Sequence, residues 1–216
     1  MAELHGPSRE RSVVYVIDDD ASIRSALDDL LSSVGLEART YASVAEFMGA
    51  QRPDVASCVV LDVRMPGQGG LDFQQAMKRS GSELPIIFIT GHGDVEMSVR
   101  AMKSGAVDFL SKPFRDQDLL DAIQTALQRD MARREVAGHL DQVLARYSTL
   151  TSGERDVMQL VTAGRLNKQI AGELGLSEIT VKVRRAQVMR KMGAQTLPDL
   201  VRLADLIRQS SGPDGV

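Results

Sequence analysis

The feature that most constrains this chain is a regular alternation of short apolar runs with segments of helical spacing up to residue 115. The runs are rich in Val and Ile, as strands require, and they cover residues 13–17, 36–41, 56–61, 85–90 and 106–110. Between them apolar residues recur every three or four positions, most clearly at Ile23, Leu27, Leu30, Leu31 and Val34. Near-continuous apolar strands separated by helices predict a parallel sheet covered on both faces.

Five strands and five helices in this order predict a doubly wound, flavodoxin-like α/β domain over residues 12–127. The fifth helix begins near Asp116, and its pattern continues to Tyr147. Its charged later part predicts a helical linker at 128–147, where the apolar repeat is too short to argue for a coiled coil. The buried side of its earlier part is predicted at Leu119, Leu120, Ile123, Ala126 and Leu127.

Residues 148–208 predict an all-α domain of four helices, because only helical patterns occur there. Thr151 or Ser152 can cap the first helix, Asn167 the second and Ser177 the third. The fourth covers about residues 198–207. Residues 1–11 and 209–216 are predicted to be tails, the latter disordered.

Charge is distributed unevenly between the two predicted domains. Residues 148–208 hold ten Lys or Arg and six Asp or Glu, a net +4, whereas the remainder has a net charge of −7. A basic domain joined to an acidic one makes nucleic acid a candidate partner. No apolar window is long enough to span a membrane and the start of the chain is polar, so we predict a cytoplasmic protein without membrane association. Cys58, the single cysteine, lies in an apolar run and is predicted to be a buried structural thiol.

Polar residues follow the predicted strands. Asp18, Asp19 and Asp20 follow the first strand, and Asp62 follows the third. These strand ends are neighbours in a doubly wound sheet, so the carboxylates are expected to converge, which requires a proton or a cation. Oxygen ligands of this kind suit Mg²⁺.

Asp62 then has the properties of a nucleophile that accepts a phosphoryl group. Lys112, after the fifth strand, and the metal would neutralise the developing charge, and the hydroxyl of Thr90 can donate to a phosphoryl oxygen. His92 is best interpreted as a loop residue rather than a catalytic base. Residues 65–67 (Met-Pro-Gly) are best interpreted as a turn.

The predicted helices at 167–174 and 178–192 are joined by a tight turn through Gly175, which is the spacing of a helix-turn-helix. At 100° per residue the later helix has a core side, with Val181, Val188 and Met192. Its opposite side mixes basic and small apolar groups that can contact base edges in the major groove, namely Ile179, Lys182, Val183, Ala186 and Arg190. Phosphate contacts are predicted for the flanking residues Arg184 and Arg185 and for Lys168.

The segments VYVIDDD, VVLDVRMPGQGGLDF, IIFITGHGD and GAVDFLSKPF resemble the receiver domain of two-component response regulators, over about residues 12–130. The resemblance implies phosphorylation of Asp62 to a 4-aspartylphosphate. It implies that Mg²⁺ binds to Asp19, Asp62 and the main-chain carbonyl of Arg64, with Asp18 in support. It also implies that Thr90 is the switch hydroxyl and Phe109 the switch aromatic residue. Lys112 would contact the phosphate, and the bond from Lys112 to Pro113 would be cis.

Residues 148–207 resemble the LuxR/NarL/FixJ-type DNA-binding domain, through Glu154, Asn167, Lys168, Ile170, Ala171, Leu174, Ser177, Thr180, Val181 and Lys182. The resemblance adds Thr180 to the predicted DNA-binding residues. Two positions depart from the family pattern: Gly153 replaces a usual Arg, and Arg184 replaces a usual His. We expect Gly153 to loosen the start of its helix and Arg184 to strengthen a DNA-backbone contact.

The TGHGDV segment and the whole architecture most resemble the FixJ branch. This resemblance implies a DNA-binding regulator phosphorylated by a cognate sensor histidine kinase. Phosphorylation would drive homodimerisation through the fourth helix and fifth strand, binding to double-stranded operator DNA, and activation of transcription with RNA polymerase.

Two other functions are considered. An aspartyl phosphotransferase or phosphatase is disfavoured, because Arg64 stands where haloacid-dehalogenase phosphatases carry a second carboxylate. We therefore expect no turnover enzyme. A phosphorylation-independent DNA-binding regulator, with the receiver as an interaction module, is the remaining alternative, and the complete acidic site argues against it.

Overall fold

The computed structural model describes residues 11–65, 69–91 and 95–210. The chain divides into two compact units between Arg134 and Glu135. Several expectations fall outside the described residues: most of the N-terminal tail (1–10), the turn at 66–67, the role of His92, and the last part of the C-terminal tail (211–216).

The first unit is an α/β domain whose described strands form a five-stranded parallel sheet in the order β2-β1-β3-β4-β5. This order confirms the predicted flavodoxin-like, doubly wound fold. The strands are β1 (Ser12–Ile17), β2 (Glu37–Tyr41), β3 (Ala56–Asp62), β4 (Ile86–Thr90) and β5 (Asp108–Ser111). The helices are α1 (Ala21–Ser33), α2 (Val44–Gly49), α3 (Gly70–Arg79), α4 (Val95–Lys103) and the first part of α5 (Asp116–Ser148).

Each face of the sheet is covered by its own apolar core. One core contains Tyr15, Phe47, Phe73 and Phe88, and the other contains residues of α1 and α5. The central strand β3 is buried along its whole length, and it contains Cys58, whose thiol pKa is raised by burial. The predicted buried side of α5 is confirmed, since Leu119, Leu120, Ile123, Ala126 and Leu127 all belong to the second core.

The predicted strand bounds differ from the structure most at β5, which begins at Asp108 rather than at Ala106. Gly105 adopts a left-handed conformation (φ 85°) after α4. The N–H of Ala106 then donates to the carbonyl of Ala101, 3.1 Å away, and so closes the helix instead of entering the sheet.

The second unit is all-α. It contains the later part of α5, then α6 (Ser152–Thr162), α7 (Asn167–Leu174), α8 (Glu178–Met192) and α9 (Leu197–Ser210). The four helices after α5 confirm the predicted helical domain, and their shared core includes Val157, Ile170, Val181, Val188 and Leu200. Gly175 is left-handed (φ 65°) between α7 and α8, as a tight helix-turn-helix connection requires.

Two local expectations about this unit are wrong. Leu166, not Asn167, is the N-cap of α7, and its N–H donates to the side-chain oxygen of Gln169 at 2.8 Å. The expectation that Gly153 loosens the start of α6 stays a prediction, although Thr151 and Glu154 form a complete capping box there. Helix α9 continues to Ser210, so residues 209 and 210 are helical rather than part of a disordered tail.

The charged stretch predicted as a linker contributes side chains to both units. Asp130 is fully buried and hydrogen-bonds to β3 in the first unit, while Val143 is buried in the core of the second. The role of residues 128–147 as a linker stays a prediction. Over the described residues, no helix combines the length and the apolar character that crossing a lipid bilayer requires.

Candidate phosphorylation site and nucleic-acid interface

The loop after β1 holds the acidic residues in place through main-chain hydrogen bonds. Asp20 caps α1, since its carboxylate accepts the Ser22 N–H at 2.8 Å. Asp18 in turn accepts the Asp20 N–H at 2.9 Å. Arg24 donates to the main-chain carbonyls of Asp18 and Asp19, at 2.7 and 3.0 Å. These hydrogen bonds define the path of the loop that carries Asp18 and Asp19.

Asp62 is the last residue of β3, and β3 pairs with β1 over its length. Its side chain is largely buried, and it accepts the N–H of the exposed residue Arg64 at 3.3 Å. One carboxylate oxygen from each of Asp18, Asp19 and Asp62 lies within 4.8 Å of the others. The convergence that the strand order predicts is thus present in the structure.

Lys112 faces this group of carboxylates from the end of β5. Its Nζ lies 2.8 Å from Asp18 Oδ2 and 3.6 Å from Asp62 Oδ2. Its N–H donates to the carbonyl of Thr90 at 2.7 Å, and the bond from Lys112 to Pro113 is cis, as the resemblance implies. Thr90, fully buried at the end of β4, therefore lies at the same edge of the sheet as Asp62.

The electrostatics of the site favour a cation. Burial raises the pKa of Asp62, and the charges of Asp18 and Asp19 add to this effect, while Lys112 opposes it. One ammonium does not neutralise three carboxylates, so the site can accept a further positive charge. The donors are hard oxygens, and Asp19 is exposed to solvent, a combination that fits Mg²⁺ with several retained waters.

Phe109 lies on β5, next to the site but not in it. It is partly buried and packs against Phe88, with the ring centroids 6.3 Å apart. Because β5 is the edge strand of the sheet, this ring lies between the core and the surface.

Helix α8 presents the predicted outward face to solvent. Lys182, Ala186 and Arg190 are exposed, and so are the apolar side chains of Ile179 and Val183, by 75% and 55%. Val181, Val188 and Met192 are buried on the other side, as predicted. Exposed Ile and Val between basic residues are unusual for a solvated surface and typical of a groove-contacting helix.

The two flanking arginines of α8 each contact a different neighbouring helix. Arg185 donates to the side-chain oxygen of Asn167 at 3.2 Å, which connects α8 to the start of α7. Arg184 lies against Gly153 in the first turn of α6. Both side chains are partly exposed, so their charges remain accessible from the surface.

The two remaining residues of the predicted interface lie near helix starts. Lys168 is exposed in the first turn of α7. Thr180 is partly exposed, and its N–H donates to Ser177, the N-cap of α8, at 3.1 Å. Thr180 therefore also supports the start of α8, which is a local structural role besides its predicted contact with DNA.

Sequence reasoning missed Arg24 and Asp130. Arg24 fixes the acidic loop, but nothing local distinguishes it from an exposed helical arginine. Asp130 accepts the N–H of Ser57 at 3.0 Å and side-chain bonds from Arg133 and Arg134. Its spacing to these arginines, three and four residues, was a usable signal of helical ion pairs.

Comparison with known families is consistent with both halves of this description. Residues 14–124 match the response regulator receiver domain, and residues 148–204 match the bacterial regulatory proteins of the luxR family. The chain therefore belongs to the response regulators of two-component systems that join a receiver to a LuxR-type DNA-binding domain. Its function is that of a DNA-binding transcriptional regulator.

Within this class the chain is similar to relatives over nearly its whole length. It is 51% identical to Nodulation protein W of Bradyrhizobium diazoefficiens, over 94% of this chain and 89% of the relative. It is 44% identical to the transcriptional regulatory protein FixJ of the same organism, over 88% of this chain and 93% of the relative. Among solved structures, the response regulator StyR matches with a TM-score of 0.83 and 46% identity, over 90% of this chain and 98% of that one.

Proposed function

We propose that this response regulator is switched by phosphoryl transfer from a sensor histidine kinase to Asp62. The observation that carries the proposal is the convergence of Asp18, Asp19 and Asp62 with the ammonium of Lys112 at one edge of the sheet. A carboxylate oxygen of Asp62 attacks phosphorus, the O–P bond forms as the N–P bond of the phosphohistidine breaks, and the kinase imidazole leaves.

The surrounding residues have separate roles in this transfer. Asp19, Asp62 and the main-chain carbonyl of Arg64 would hold Mg²⁺, with Asp18 in support. The ion would supply positive charge to the phosphoryl oxygens. Lys112 lies close enough to Asp62 to contact the bound phosphoryl group. We infer that Asp62 accepts one phosphoryl group per activation and that the protein is not a turnover enzyme, because the phosphorylated form acts through its DNA-binding unit.

The switch then acts on the surface next to the site. Thr90 closes on the phosphoryl group, Phe109 turns inward, and two receivers pair through α4 and β5. In support, Val95, Val99 and Met102 of α4 are exposed by 76%, 44% and 45%, which is a large apolar surface for one short helix.

The phosphorylated homodimer binds a two-fold related operator in double-stranded DNA. We assign base contacts to Lys182, Val183, Ala186 and Arg190. Backbone and supporting contacts are assigned to Lys168, Thr180, Arg184 and Arg185. The FixJ-like organisation of the chain favours activation of transcription through RNA polymerase. It also favours a cytoplasmic location, because both the DNA and the kinase's phosphoryl donor are found there.

Gel filtration with light scattering, with and without beryllofluoride and Mg²⁺, tests the receiver switch. Beryllofluoride mimics a phosphoryl group on an aspartate, so wild type should change from monomer to dimer. Asp62→Asn should stay monomeric, whereas Asp28→Asn, a matched change at an exposed position of α1, should behave like wild type. A dimer shift that persists in Asp62→Asn would overturn the assignment of Asp62. A wild type that is already dimeric without beryllofluoride would favour a regulator that works without phosphorylation.

A further inference from the structure

The two departures of this chain from the LuxR-type pattern lie against each other. A Cβ placed on Gly153 would lie 2.3 Å from one terminal nitrogen of the Arg184 guanidinium and 2.8 Å from its central carbon. Real Cβ atoms essentially never make contacts this short. The Arg184 guanidinium therefore occupies the space that a side chain at position 153 would need.

The start of α6 is a fixed surface for this guanidinium. The capping box of Thr151 and Glu154 closes the first turn. Lys191 of α8 then donates to Glu154 at 2.6 Å and to the carbonyl of Thr149 at 3.0 Å. Helices α6 and α8 are thus joined independently of Arg184, so Arg184 is not needed to hold them together.

Arg184 has no ion-pair partner among the residues that the structure describes. Its side chain is only partly exposed. A cation confined on the flank of a groove-contacting helix, with no ion-pair partner among the described residues, is suited to a phosphate oxygen.

We propose that Gly153 is a positioning residue for DNA binding. By lacking a side chain, it lets Arg184 lie across the first turn of α6, where the guanidinium contacts a DNA phosphate. This inference rests on the proposed DNA-binding role of the second unit. Any larger residue at 153 displaces the end of a flexible side chain rather than backbone, so it changes DNA binding and leaves the fold intact.

The test is the salt dependence of binding to a labelled duplex of mixed sequence, because each phosphate contact contributes about 0.9 to the slope of log K against log salt. Full-length wild type is compared with Arg184→Gln, Gly153→Ala and the double variant, all activated with beryllofluoride and Mg²⁺ because the homodimer is the proposed DNA-binding form. Gly138→Ala is the control, since it is the same change within a helix of the same unit and meets no atom within 4 Å. Thermal unfolding is measured on all five proteins.

Arg184→Gln should reduce the slope by about 1.8, because each protomer of the homodimer loses one phosphate contact worth about 0.9. Gly153→Ala should reduce it in the same direction, and the double variant should show no further loss. The unfolding midpoint of Gly153→Ala should not fall below that of wild type, and Gly138→Ala should keep the wild-type slope. If Gly153→Ala keeps the full slope while Arg184→Gln loses it, or if Gly153→Ala mainly lowers the midpoint, the positioning role is wrong. If activated wild type fails to bind the duplex at low salt, the proposed DNA-binding role of the second unit itself fails.

Discussion

At the scale of single residues, Asp62 is held in a state that disfavours its own charge. Burial raises its pKa, and two further carboxylates lie within 4.8 Å of it. An ionised Asp62 at neutral pH therefore lowers the free energy of unfolding, unless a cation or a phosphoryl group with its cation is bound at the site. The same repulsion between carboxylates means that a bound cation stabilises the native state, because it reduces that repulsion.

We expect Asp62→Asn to raise the thermal unfolding midpoint at neutral pH in the presence of a chelator, by about 3 °C. The substituted amide keeps the oxygen that accepts the Arg64 N–H but removes one of three converging charges. Excess Mg²⁺ should stabilise wild type more than the variant and so close the gap. A midpoint below that of wild type in chelator would show that the three carboxylates do not destabilise the native state.

Glu154 shows the opposite behaviour. Its pKa is lowered, first by the hydrogen bond from Lys191 and then by the N–H of Thr151. A lowered pKa in the folded state means that Glu154 stabilises the fold above its unfolded pKa. This stability is lost as the pH falls through the folded value.

We therefore expect Glu154→Gln to unfold with a shallower pH dependence than wild type between about pH 5 and pH 3. Differential scanning calorimetry across this range measures the effect. Asp156→Asn, an exposed acid two residues further along α6, is the control and should retain the wild-type slope. Equal slopes for wild type and Glu154→Gln would show that the pair with Lys191 adds nothing to the pH dependence.

At the scale of elements, helix α5 is attached to the sheet by a buried charge. Asp130 accepts the Ser57 N–H at the start of β3, and its remaining acceptor positions are taken by Arg133 and Arg134. Arg134 also pairs with Asp54, just before β3. The helix is thus connected to the same strand that ends in Asp62.

We expect Asp130→Ala to lower the free energy of unfolding by about 3 kcal/mol, because two arginines and a buried N–H lose their shared partner. Urea unfolding of the full chain measures this loss. Asp141→Ala, an exposed acid further along the same helix, should change stability by less than about 0.5 kcal/mol. Similar midpoints for the two variants would contradict a structural role for Asp130.

Particular elements show which parts of the structure were predictable. The five strands could be predicted, because buried parallel strands appear in the sequence as continuous apolar runs. The acidic site could then be predicted as well, because the carboxyl ends of parallel strands meet at one edge of the sheet. The Asp130 cluster was not, because its partner Ser57 lies 73 residues away and a charged helix resembles solvated surface. Asn167 was predicted to be a cap from its residue type, whereas in the structure Leu166 is the cap and its N–H donates to the side-chain oxygen of Gln169. The contact between Gly153 of α6 and Arg184 of α8 could not be predicted, because the two residues lie on different helices and no local sequence pattern connects them.

At the scale of the whole molecule, the proposed dimerisation would use surface that the fold leaves apolar. Met102 on α4 and Met48 on α2 are exposed to nearly the same extent, 45% and 47%. The same substitution at each of these two positions therefore distinguishes a specific dimer interface on α4 from a general effect of exposed apolar surface.

We expect Met102→Glu to remain monomeric with beryllofluoride and Mg²⁺, because a charge would be buried at the α4–β5 interface. Met48→Glu should still dimerise. Sedimentation velocity distinguishes the two results. Loss of the dimer in Met48→Glu alone would place the interface on the other side of the receiver.

The fully buried Cys58 lies in the central strand that ends in Asp62, and burial raises its thiol pKa. Since it is the single cysteine of the chain, any thiol-specific reagent has one target, which becomes available only when the middle of the sheet opens. The rate at which Cys58 reacts therefore measures how often the strand that ends in Asp62 opens, and no label has to be engineered. Comparing its rate with and without beryllofluoride would tell how strongly occupation of the site keeps that strand closed.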